Sequence, residues 1–313
     1  MALPTGSFSG TADISNLVKA AYDQYVRMAL RSIPVMRALA DVKPVQQAMP
    51  GSSVVFSIYS DLSAATSTLT ETLDVSSIAL GNPSQVTVTL NEYGSAVTTT
   101  KKLNLTSFND VDAALADIIA YNAADSIDAV VAAVLTGGTN VIYGGNATTT
   151  NTIDSADTIS VADIRNAVTE LRTNKALPRL GELYAAYLHP RQAADLRAES
   201  GTGGFQDIVK YTDNVSKTII PGSVGVIEGA FVVETPRVPF AANTNSPAVN
   251  VYKAVVAGRE ALAEAMGQDI NTVIGPEIDA LRRFRTIGWY YFGGFARLRE
   301  AALYRIETSA SAG

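Results

Sequence analysis

Residues 52–136 constrain the fold most, because a long two-stranded arm is followed there at once by a long helix. The sequence predicts a first strand at 53–59 and return strands at 86–90 and 96–100. β-Branched residues dominate these segments, with polar and apolar positions alternating over 86–90, as is typical of strands with one buried face. An isolated hairpin is only marginally stable in water. The arm therefore needs another surface, and we expect copies of the same chain to supply it.

The connection between the strands of the arm runs from about residue 61 to 85 and is rich in Ser and Thr. It is far longer than the two to five residues typical of a hairpin loop, which is usual for functional or disordered segments. A fragment of a β-sandwich with a long loop is the alternative. Too few further strands follow to complete a sandwich, so we favour the reaching arm.

A single helix is predicted over residues 107–136. Its start is rich in Ser, Asn and Asp, and Gly137 and Gly138 end it, as glycines commonly do at helix C-termini. Thirty residues give a length of roughly 45 Å, enough to cross a whole domain. Its apolar residues recur mostly every three or four positions, as one helix face requires: Val111, Leu115, Ile118, Ile119, Ala123, Ile127, Val130, Val131, Val134 and Leu135.

The remaining elements follow from local signals in the sequence. Ser160 is expected to cap a helix that ends near Asn174, and the pair His189-Pro190 to start a short helix that ends near Glu199. Residues 14–33 read as an N-terminal helix. The remaining predicted strands lie at 183–188, within 224–233, at 249–256 and over 284–306, the last as two long strands broken at Gly293-Gly294.

The residues do not predict a catalytic or metal site. The chain has no cysteine and one histidine, His189, which excludes thiolate metal sites and a cysteine nucleophile. No phosphate-binding loop or nucleophile elbow occurs, so we expect no cofactor and no enzymatic activity. The first ten residues do not resemble a signal peptide, and no run of eighteen apolar residues predicts a membrane span.

Three pairs of acids leave a carboxylate hydrolase as a nonspecific alternative. The pairs are Asp110 with Asp112, Asp125 with Asp128, and Asp154 with Asp157. The first pair is explained by the favourable charge at a helix start. Asp125 and Asp128 are expected on the solvent or subunit face of the long helix.

Charge is unevenly distributed along the chain. The net charge is −6, yet residues 282–305 contain six arginines and one acid, a net +5, which leaves −11 for the rest. The segment 282–292 interleaves arginine with aromatic residues and could bind single-stranded nucleic acid by stacking and charge. Because the whole chain is acidic, we favour a strand with aromatic residues in the core and arginines at a subunit contact. The contact residues predicted on this segment are Arg282, Arg283, Arg285 and Trp289.

The order of these elements resembles that of tailed-bacteriophage major capsid proteins of the HK97 type, over nearly the whole chain. Several segments carry a narrower resemblance to the subfamily named for the major coat protein of phage N4. They are Leu69-Thr70-Glu71, residues 86–94 with Asn91-Glu92-Tyr93-Gly94, residues 225–233, residues 254–262, and residues 282–306 with Gly288-Trp289.

The resemblance implies an α+β fold with four parts. These are an N-terminal arm (1–50), an extended loop or E-loop (51–103), a peripheral domain with the spine helix (104–157 and 241–313), and an axial domain (158–240). It implies a virion subunit that assembles in the bacterial cytoplasm into pentamers and hexamers of an icosahedral shell around double-stranded DNA. Implied partners are portal, scaffolding and decoration proteins; no membrane is expected. An encapsulin-like compartment shell, which shares the fold but holds cargo enzymes, and a nucleic-acid-binding protein remain the alternatives.

Two features of this chain modify what the resemblance implies. No lysine lies between Lys43 and Lys101, so the loop tip has none for the covalent link that some members form, and we expect a non-covalent shell. Only about fifty residues precede the loop, so we expect scaffolding to be a separate protein. In the loop we predict that Glu71, Leu73 and Asp74 lie at a subunit contact, with the two acids meeting basic residues of a neighbour.

Overall fold

The computed structural model describes residues 34–44, 52–69, 71–72, 74–75, 77–106, 111–200, 223–244, 247–276, 281 and 283–311. The predicted N-terminal helix at 14–33 lies outside these ranges. The strands are β1 (Ala40–Pro44), β2 (Ser53–Ile58), β3 (Ser84–Thr89), β4 (Asn91–Thr100), β5 (Val141–Tyr143), β6 (Tyr184–Leu188), β7 (Ser223–Ile227), β8 (Ala230–Glu234), β9 (Phe240–Ala242), β10 (Asn250–Ala257), β11 (Leu262–Ile274), β12 (Phe284–Arg297) and β13 (Leu303–Thr308). The helices are α1 (Lys101–Thr106), α2 (Val111–Thr136), α3 (Val161–Thr173) and α4 (Pro190–Ala198), with short 3₁₀ turns at Met36–Leu39, Thr150–Thr152 and Glu300–Ala302.

A four-stranded sheet packs against the spine helix α2, and the two form adjacent layers. The sheet has the order β1-β11-β12-β4, in which β1 runs parallel to β11 and the other pairs are antiparallel. Alternate residues of β12 turn one face of this sheet toward α2, as the two-residue period of a strand requires. The buried cluster between them consists of Leu115, Ile119, Ala123 and Ile127 from the helix and Ile287, Trp289 and Tyr291 from the strand.

A second, seven-stranded sheet has the order β5-β13-β10-β6-β8-β7, with β9 beside β10. Helix α3 packs on it through Ile164, Val168 and Leu171, which are spaced by helix steps. Strand β10 pairs with β6 on one side and β13 on the other. The predicted domain boundaries at 157/158 and 240/241 therefore pass through one continuous sheet.

Several local predictions are confirmed by these elements. Ser160 caps α3 by accepting a hydrogen bond from Asp163, whose carboxylate accepts one from Ser160 in return. His189 caps α4, with Pro190 as its first residue. The strands predicted near 183–188, 224–233 and 249–256 are present as β6, the pair β7–β8, and β10.

The prediction that the whole arm is one two-stranded unit is wrong. Among the described strands, β2 pairs with β3 alone, in a register that sets Ser53 opposite Thr89. The second half of the expected return strand is β4, which pairs with β12 over ten residues instead. The free ladder of the arm is therefore six residues long, and the chain switches sheets at Leu90.

The predicted break at Gly293-Gly294 is also wrong. Strand β12 continues through both glycines to Arg297, and the chain turns only before β13. A Cβ atom on Gly294 would overlap the carbonyl oxygen of Thr89, and one on Gly293 would lie 2.8 Å from the carbonyl oxygen of Ala265. The glycines permit close backbone approach rather than a turn.

The spine helix is described from Val111, so the predicted start at 107 lies outside the described residues, and its end at Thr136 is confirmed. Twenty-six residues span about 39 Å. Within the described ranges, Leu115–Thr136 is the one stretch of helix whose length and mean hydropathy of 1.6 would suffice to cross a membrane. A core helix of a globular protein meets the same test, and one side of α2 is buried against β12.

Candidate assembly surfaces

The base of the arm is fixed to the body of the subunit. Val88 and Leu90 are buried against Ala265 of β11, with Phe292 packed beside them. The Leu90 N–H donates a hydrogen bond of 2.8 Å to the carbonyl oxygen of Ser52. The arm therefore leaves the sheet from a defined point, which gives the loop beyond it a limited reach.

The loop between the two arm strands, residues 59–83, has the opposite character. Its described residues form no helix or strand, and their hydrogen bonding is limited to the Val75 N–H donating to its neighbour Asp74 Oδ1 at 2.8 Å. Large apolar side chains are nonetheless exposed, with Leu69 77% and Ile78 68% accessible. The same holds for Tyr59, Leu62, Val75 and Leu80. An apolar surface of this kind in a polar rim marks an interaction site.

The loop is also purely acidic. Residues 45–100 contain Asp61, Glu71, Asp74 and Glu92, and no Lys or Arg. Glu71 and Asp74 are exposed and form no ion pair with any residue in the described ranges. Leu73, the third contact residue predicted in the loop, lies outside those ranges.

The far end of the four-stranded sheet carries the complementary charge. Arg283 and Arg285 lie where β12 begins. The Arg283 carbonyl oxygen accepts a 2.8 Å hydrogen bond from the Lys101 N–H group. Lys101 and Lys102 are exposed beside them. Exposed apolar residues share this end of the sheet: Val97, Val273, Ile274, Leu281 and Phe284. Arg282 lies outside the described residues.

Trp289, also predicted at a subunit contact, lies inside the subunit. Its indole is buried against the spine helix, and Nε1 donates a hydrogen bond to Asn122 Oδ1 at 2.9 Å. A buried indole needs such a partner for its N–H group. The ring therefore stabilises the fold of one subunit, and an interface at this end of the sheet would depend on Arg283 and Arg285.

The other arginines of the basic segment are used within the subunit. Arg297 donates to the Val134 carbonyl oxygen at 3.0 Å, and Arg305 donates to the carbonyl oxygens of Thr136 and Gly138. Both guanidinium groups thus satisfy the free carbonyl groups at the C-terminus of the spine helix, where positive charge is favourable. Arg299 pairs with Glu260 at 2.6 Å. The net +5 of residues 282–305 is therefore not one continuous patch.

The prediction that Asp128 lies on the solvent or subunit face of the spine helix is wrong. The Asp128 side chain is 1% exposed and accepts hydrogen bonds from the N–H groups of Val35, Met36 and Arg37 at 3.4, 2.7 and 3.1 Å. The carboxylate thus provides the hydrogen-bond acceptor for the N–H groups at the start of the 3₁₀ turn Met36–Leu39. Burial raises the pKa of Asp128, against the opposing pull of these N–H groups and of Arg237. Asp125 does lie at the surface and pairs with Arg237.

The same N-terminal segment, residues 35–41, is held by the four-stranded sheet. The Arg37 guanidinium donates to both carboxylate oxygens of Glu264 on β11, at 2.6 to 3.2 Å. Glu264 is completely buried and also accepts a 2.9 Å hydrogen bond from the Tyr291 hydroxyl group. A buried carboxylate requires this degree of pairing.

Arg179, which precedes β6, and Tyr187, which lies in β6, also hold residues 35–41. Arg179 donates to the Ala38 carbonyl oxygen at 2.9 Å and pairs with Asp41 at 3.2 Å. The Tyr187 hydroxyl group donates to the Val35 carbonyl oxygen at 3.3 Å. Both sheets and the spine helix thus meet on one seven-residue segment, which we call the junction segment. The signal in the sequence for this contact was Asp128, an acid between the apolar residues Ile127 and Val131 of the spine helix, which is expected from the sequence on the solvent or subunit face.

His189 has a structural role. Its Nδ1 accepts a hydrogen bond from the Arg191 N–H at 3.2 Å, and its ring lies 4.6 Å from that of Tyr252. Burial lowers the pKa of His189, with a smaller effect from Arg191 in the same direction. In the described ranges no three His, Asp or Glu residues are grouped so that they could hold a metal ion.

Comparisons with known proteins agree with this architecture. A family model described as phage capsid protein matches residues 10–311. The fold is similar to the capsid of Ralstonia phage GP4, with a TM-score of 0.78 and 15% identity over 98% of each chain. It is similar to the Cyanophage Pam1 capsid at a TM-score of 0.73 and 13% identity, covering 96% of this chain and 98% of that one. The head structure of Helicobacter pylori bacteriophage KHP40 gives 0.71 and 13% over 98% of each chain. No curated protein matches the sequence.

Proposed function

Because this chain belongs to the phage capsid protein family, we propose that it works as a tailed-phage major capsid protein through a loop that is completed only by a neighbouring subunit. The family and the HK97-like fold make it a structural component of the virion that forms an icosahedral shell. Neither the compartment shell nor the nucleic-acid-binding protein considered above gains support from these matches.

The loop at residues 59–83 is the observation that carries the proposal. Its apolar side chains are exposed, and its described backbone groups find almost no partner in their own chain. Exposing such a surface is unfavourable at roughly 25 cal/mol per Å² of apolar area. A lattice in which every subunit covers a neighbour's loop removes this cost at each position. Because each subunit is then held at several contacts at once, modest interfaces give a stable shell.

The partners follow from this role. We infer that the subunits group as pentamers and hexamers, that the assembly takes place in the host cytoplasm, and that the enclosed double-stranded DNA is contacted without sequence preference. Portal, scaffolding and decoration proteins are the further partners of such a shell. No catalytic step is part of the proposal, and the absence of lysine between Lys43 and Lys101 supports a shell without covalent links between loop lysines and neighbours.

Charge favours a specific orientation of the loop on its neighbour. Glu71 and Asp74 are exposed acids in a segment without basic residues, whereas Arg283 and Arg285 lie with Lys101 at the far end of the four-stranded sheet. We propose that the acids of one subunit face these basic residues of the next. Complementary rim charges of this kind raise the association rate and fix register more than they add affinity.

Electron microscopy of the purified full-length chain tests the proposed function. Closed shells of uniform diameter are expected, and denaturing gels of those shells should show a single band at the monomer mass of 32.9 kDa. Monomers under all solution conditions would contradict the assembly. A ladder of covalent oligomers would contradict only the non-covalent shell.

A further inference from the structure

The four-stranded sheet ends in two edges of very different kinds. Strand β1 forms one edge: it has five residues, carries Asp41 and Lys43, and ends at Pro44. Short length, charge and proline are the devices by which proteins keep an edge strand from pairing with another chain. This edge is protected.

The opposite edge, strand β4, has few of these devices. It is ten residues long and pairs with β12 without a bulge, and no further strand of the described chain pairs with its outer side. Its one charged residue, Glu92, lies near its beginning, and it contains no proline. Residues 94–98 are all exposed. Unpaired N–H and C=O groups along such an edge form a template for an added strand.

The loop at residues 59–83 has the properties of the missing strand. Its charged residues are all acids, and it is rich in Ser, Thr and apolar residues. In its described residues the Val75 N–H is the one backbone group with a hydrogen-bond partner in its own chain. The basic residues Lys101, Arg283 and Arg285 lie at the end of β4 where it leaves the sheet. An acidic loop laid along β4 would therefore bring its carboxylates toward positive charge.

We propose that the free edge of β4 is the receiving site for the loop of a second copy, which adds to the four-stranded sheet as an extended segment. This inference rests on the proposed function and adds to it the surface that the loop occupies. Main-chain hydrogen bonds to β4 hold the segment, and its apolar side chains cover the exposed residues at that end of the sheet, including Val97 and Phe284.

A cleft of about 300 Å³ elsewhere on the subunit is the competing receptor. Lys175, Arg259 and Arg299 line it, and it could also attract an acidic loop. Asp61 of the same chain already lies in its wall, and Arg299 is paired with Glu260. The charge of the cleft is thus partly neutralised within one subunit.

Disulfide trapping distinguishes these sites cleanly, because the chain has no cysteine of its own. Val97→Cys is combined in turn with Leu69→Cys, Val75→Cys, Ile78→Cys and Leu80→Cys in the full chain, and the assembled shells are mildly oxidised. Residues directly opposite each other on paired strands place their Cβ atoms close enough for a disulfide. At least one pair should give a ladder of oligomers on non-reducing denaturing gels.

In the matched controls each loop cysteine is kept, and Val97→Cys is replaced by a cysteine at another exposed site. Val42→Cys lies on the protected β1 edge and Leu177→Cys in the cleft, at 50% and 61% exposure against 42% for Val97. Shells that form normally without any Val97 ladder, or that cross-link more strongly through Leu177 or Val42, would overturn the receiving edge and leave the shell function intact. Failure of the unmodified chain to form shells would instead overturn the function.

Hydrogen exchange on the unmodified protein provides a second readout that no substitution can disturb. We expect amides of residues 94–98 to exchange at least tenfold more slowly in shells than in dissociated subunits. Equal exchange in both states would overturn the proposal.

Discussion

The junction segment (residues 35–41) and the loop (residues 59–83) differ in where their polar groups find hydrogen-bond partners. The junction segment is bonded to the spine helix through Asp128, to one sheet through Glu264 and to the other through Tyr187. The loop, in its described residues, has one local hydrogen bond and exposed apolar side chains. The first segment is completed within one subunit, and the second is left for another.

This difference separates the two tasks of a shell subunit. Contacts of the junction segment determine whether one chain folds, because buried donors and acceptors without partners are costly. Contacts of the loop determine whether chains associate, because exposed apolar area is buried only by a neighbour. Substitutions in the two segments should therefore affect different measurements.

The largest expected effect on the fold comes from Asp128→Ala. The change leaves the N–H groups of residues 35–37 without their acceptor inside the protein and should lower the free energy of unfolding of dissociated subunits by about 3 kcal/mol. Denaturant unfolding measures it. The matched control is Asp125→Ala on the same helix, whose carboxylate is 45% exposed and whose removal still leaves Arg237 paired with Asp128, so a smaller loss is expected. Equal losses for both variants would contradict the role of the junction segment.

Glu264→Gln is expected to have the next largest effect. The amide keeps the size of the side chain but removes the charge that the Arg37 guanidinium group binds, so a loss of about 2 kcal/mol in the free energy of unfolding is expected. Thermal unfolding of subunits checks it. Glu260→Gln, whose partly exposed carboxylate pairs with Arg299, serves as control and should change stability by a few tenths of that amount at most. A Glu264→Gln variant with unchanged stability would show that the buried pair with Arg37 is not needed for the stability of the subunit.

The loop should behave in the reverse manner. Ile78→Ser combined with Leu80→Ser is expected to change subunit stability by less than about 0.5 kcal/mol, since both side chains are exposed. The yield of shells should nevertheless fall several-fold, as measured by sedimentation. Leu177→Ser, an exposed leucine outside the loop, should leave both quantities unchanged. A loop variant that unfolds easily but assembles normally would break the comparison.

Glu71→Gln with Asp74→Asn should act mainly on the rate of assembly. Removing the two carboxylates weakens the long-range attraction to the basic end of the neighbouring sheet, so assembly slows and its dependence on salt flattens. Light scattering at low and high ionic strength measures this. Glu182→Gln, an exposed acid outside the loop, provides the control. An unchanged salt dependence would contradict the proposed pairing.

The smallest effect concerns pH. Burial raises the pKa of Glu300, but the Thr139 N–H and Arg297 outweigh it, so the pKa lies below the ordinary value of 4.5. A lowered pKa in the folded state gives a contribution that is present above pH 4.5 and is lost as the pH falls through the lowered pKa. Glu300→Gln should therefore reduce the acid sensitivity of subunit unfolding below pH 4.5. A parallel pH profile for the variant and the unmodified protein would refute this.

Much of the fold could be predicted from local signals. Ser160, His189-Pro190 and the apolar spacing of the spine helix identify elements whose local chemistry agrees with their tertiary environment. Strand β11 was missed because Glu264, Gln268 and Asp269 interrupt its alternation, and Glu264 is buried only because Arg37, more than two hundred residues away, pairs with it. Long-range pairing of this kind leaves no local pattern.

The candidate surfaces divide in the same way. The loop was predictable because its length and composition cannot form a core. The arginines of residues 282–305 were not, because six like residues in sequence serve different purposes: Arg297 and Arg305 cap the spine helix, and Arg299 binds Glu260. Nothing in the spacing distinguishes them from Arg283 and Arg285.

Hydrogen exchange of residues 35–41 and 59–83, compared between dissociated subunits and assembled shells, tests the central claim most directly. The account predicts that amides of the junction segment are protected in both states, whereas amides of the loop exchange rapidly in subunits and are protected only in shells. Loop amides that exchange equally fast in subunits and shells, or that are already protected in subunits, would contradict it.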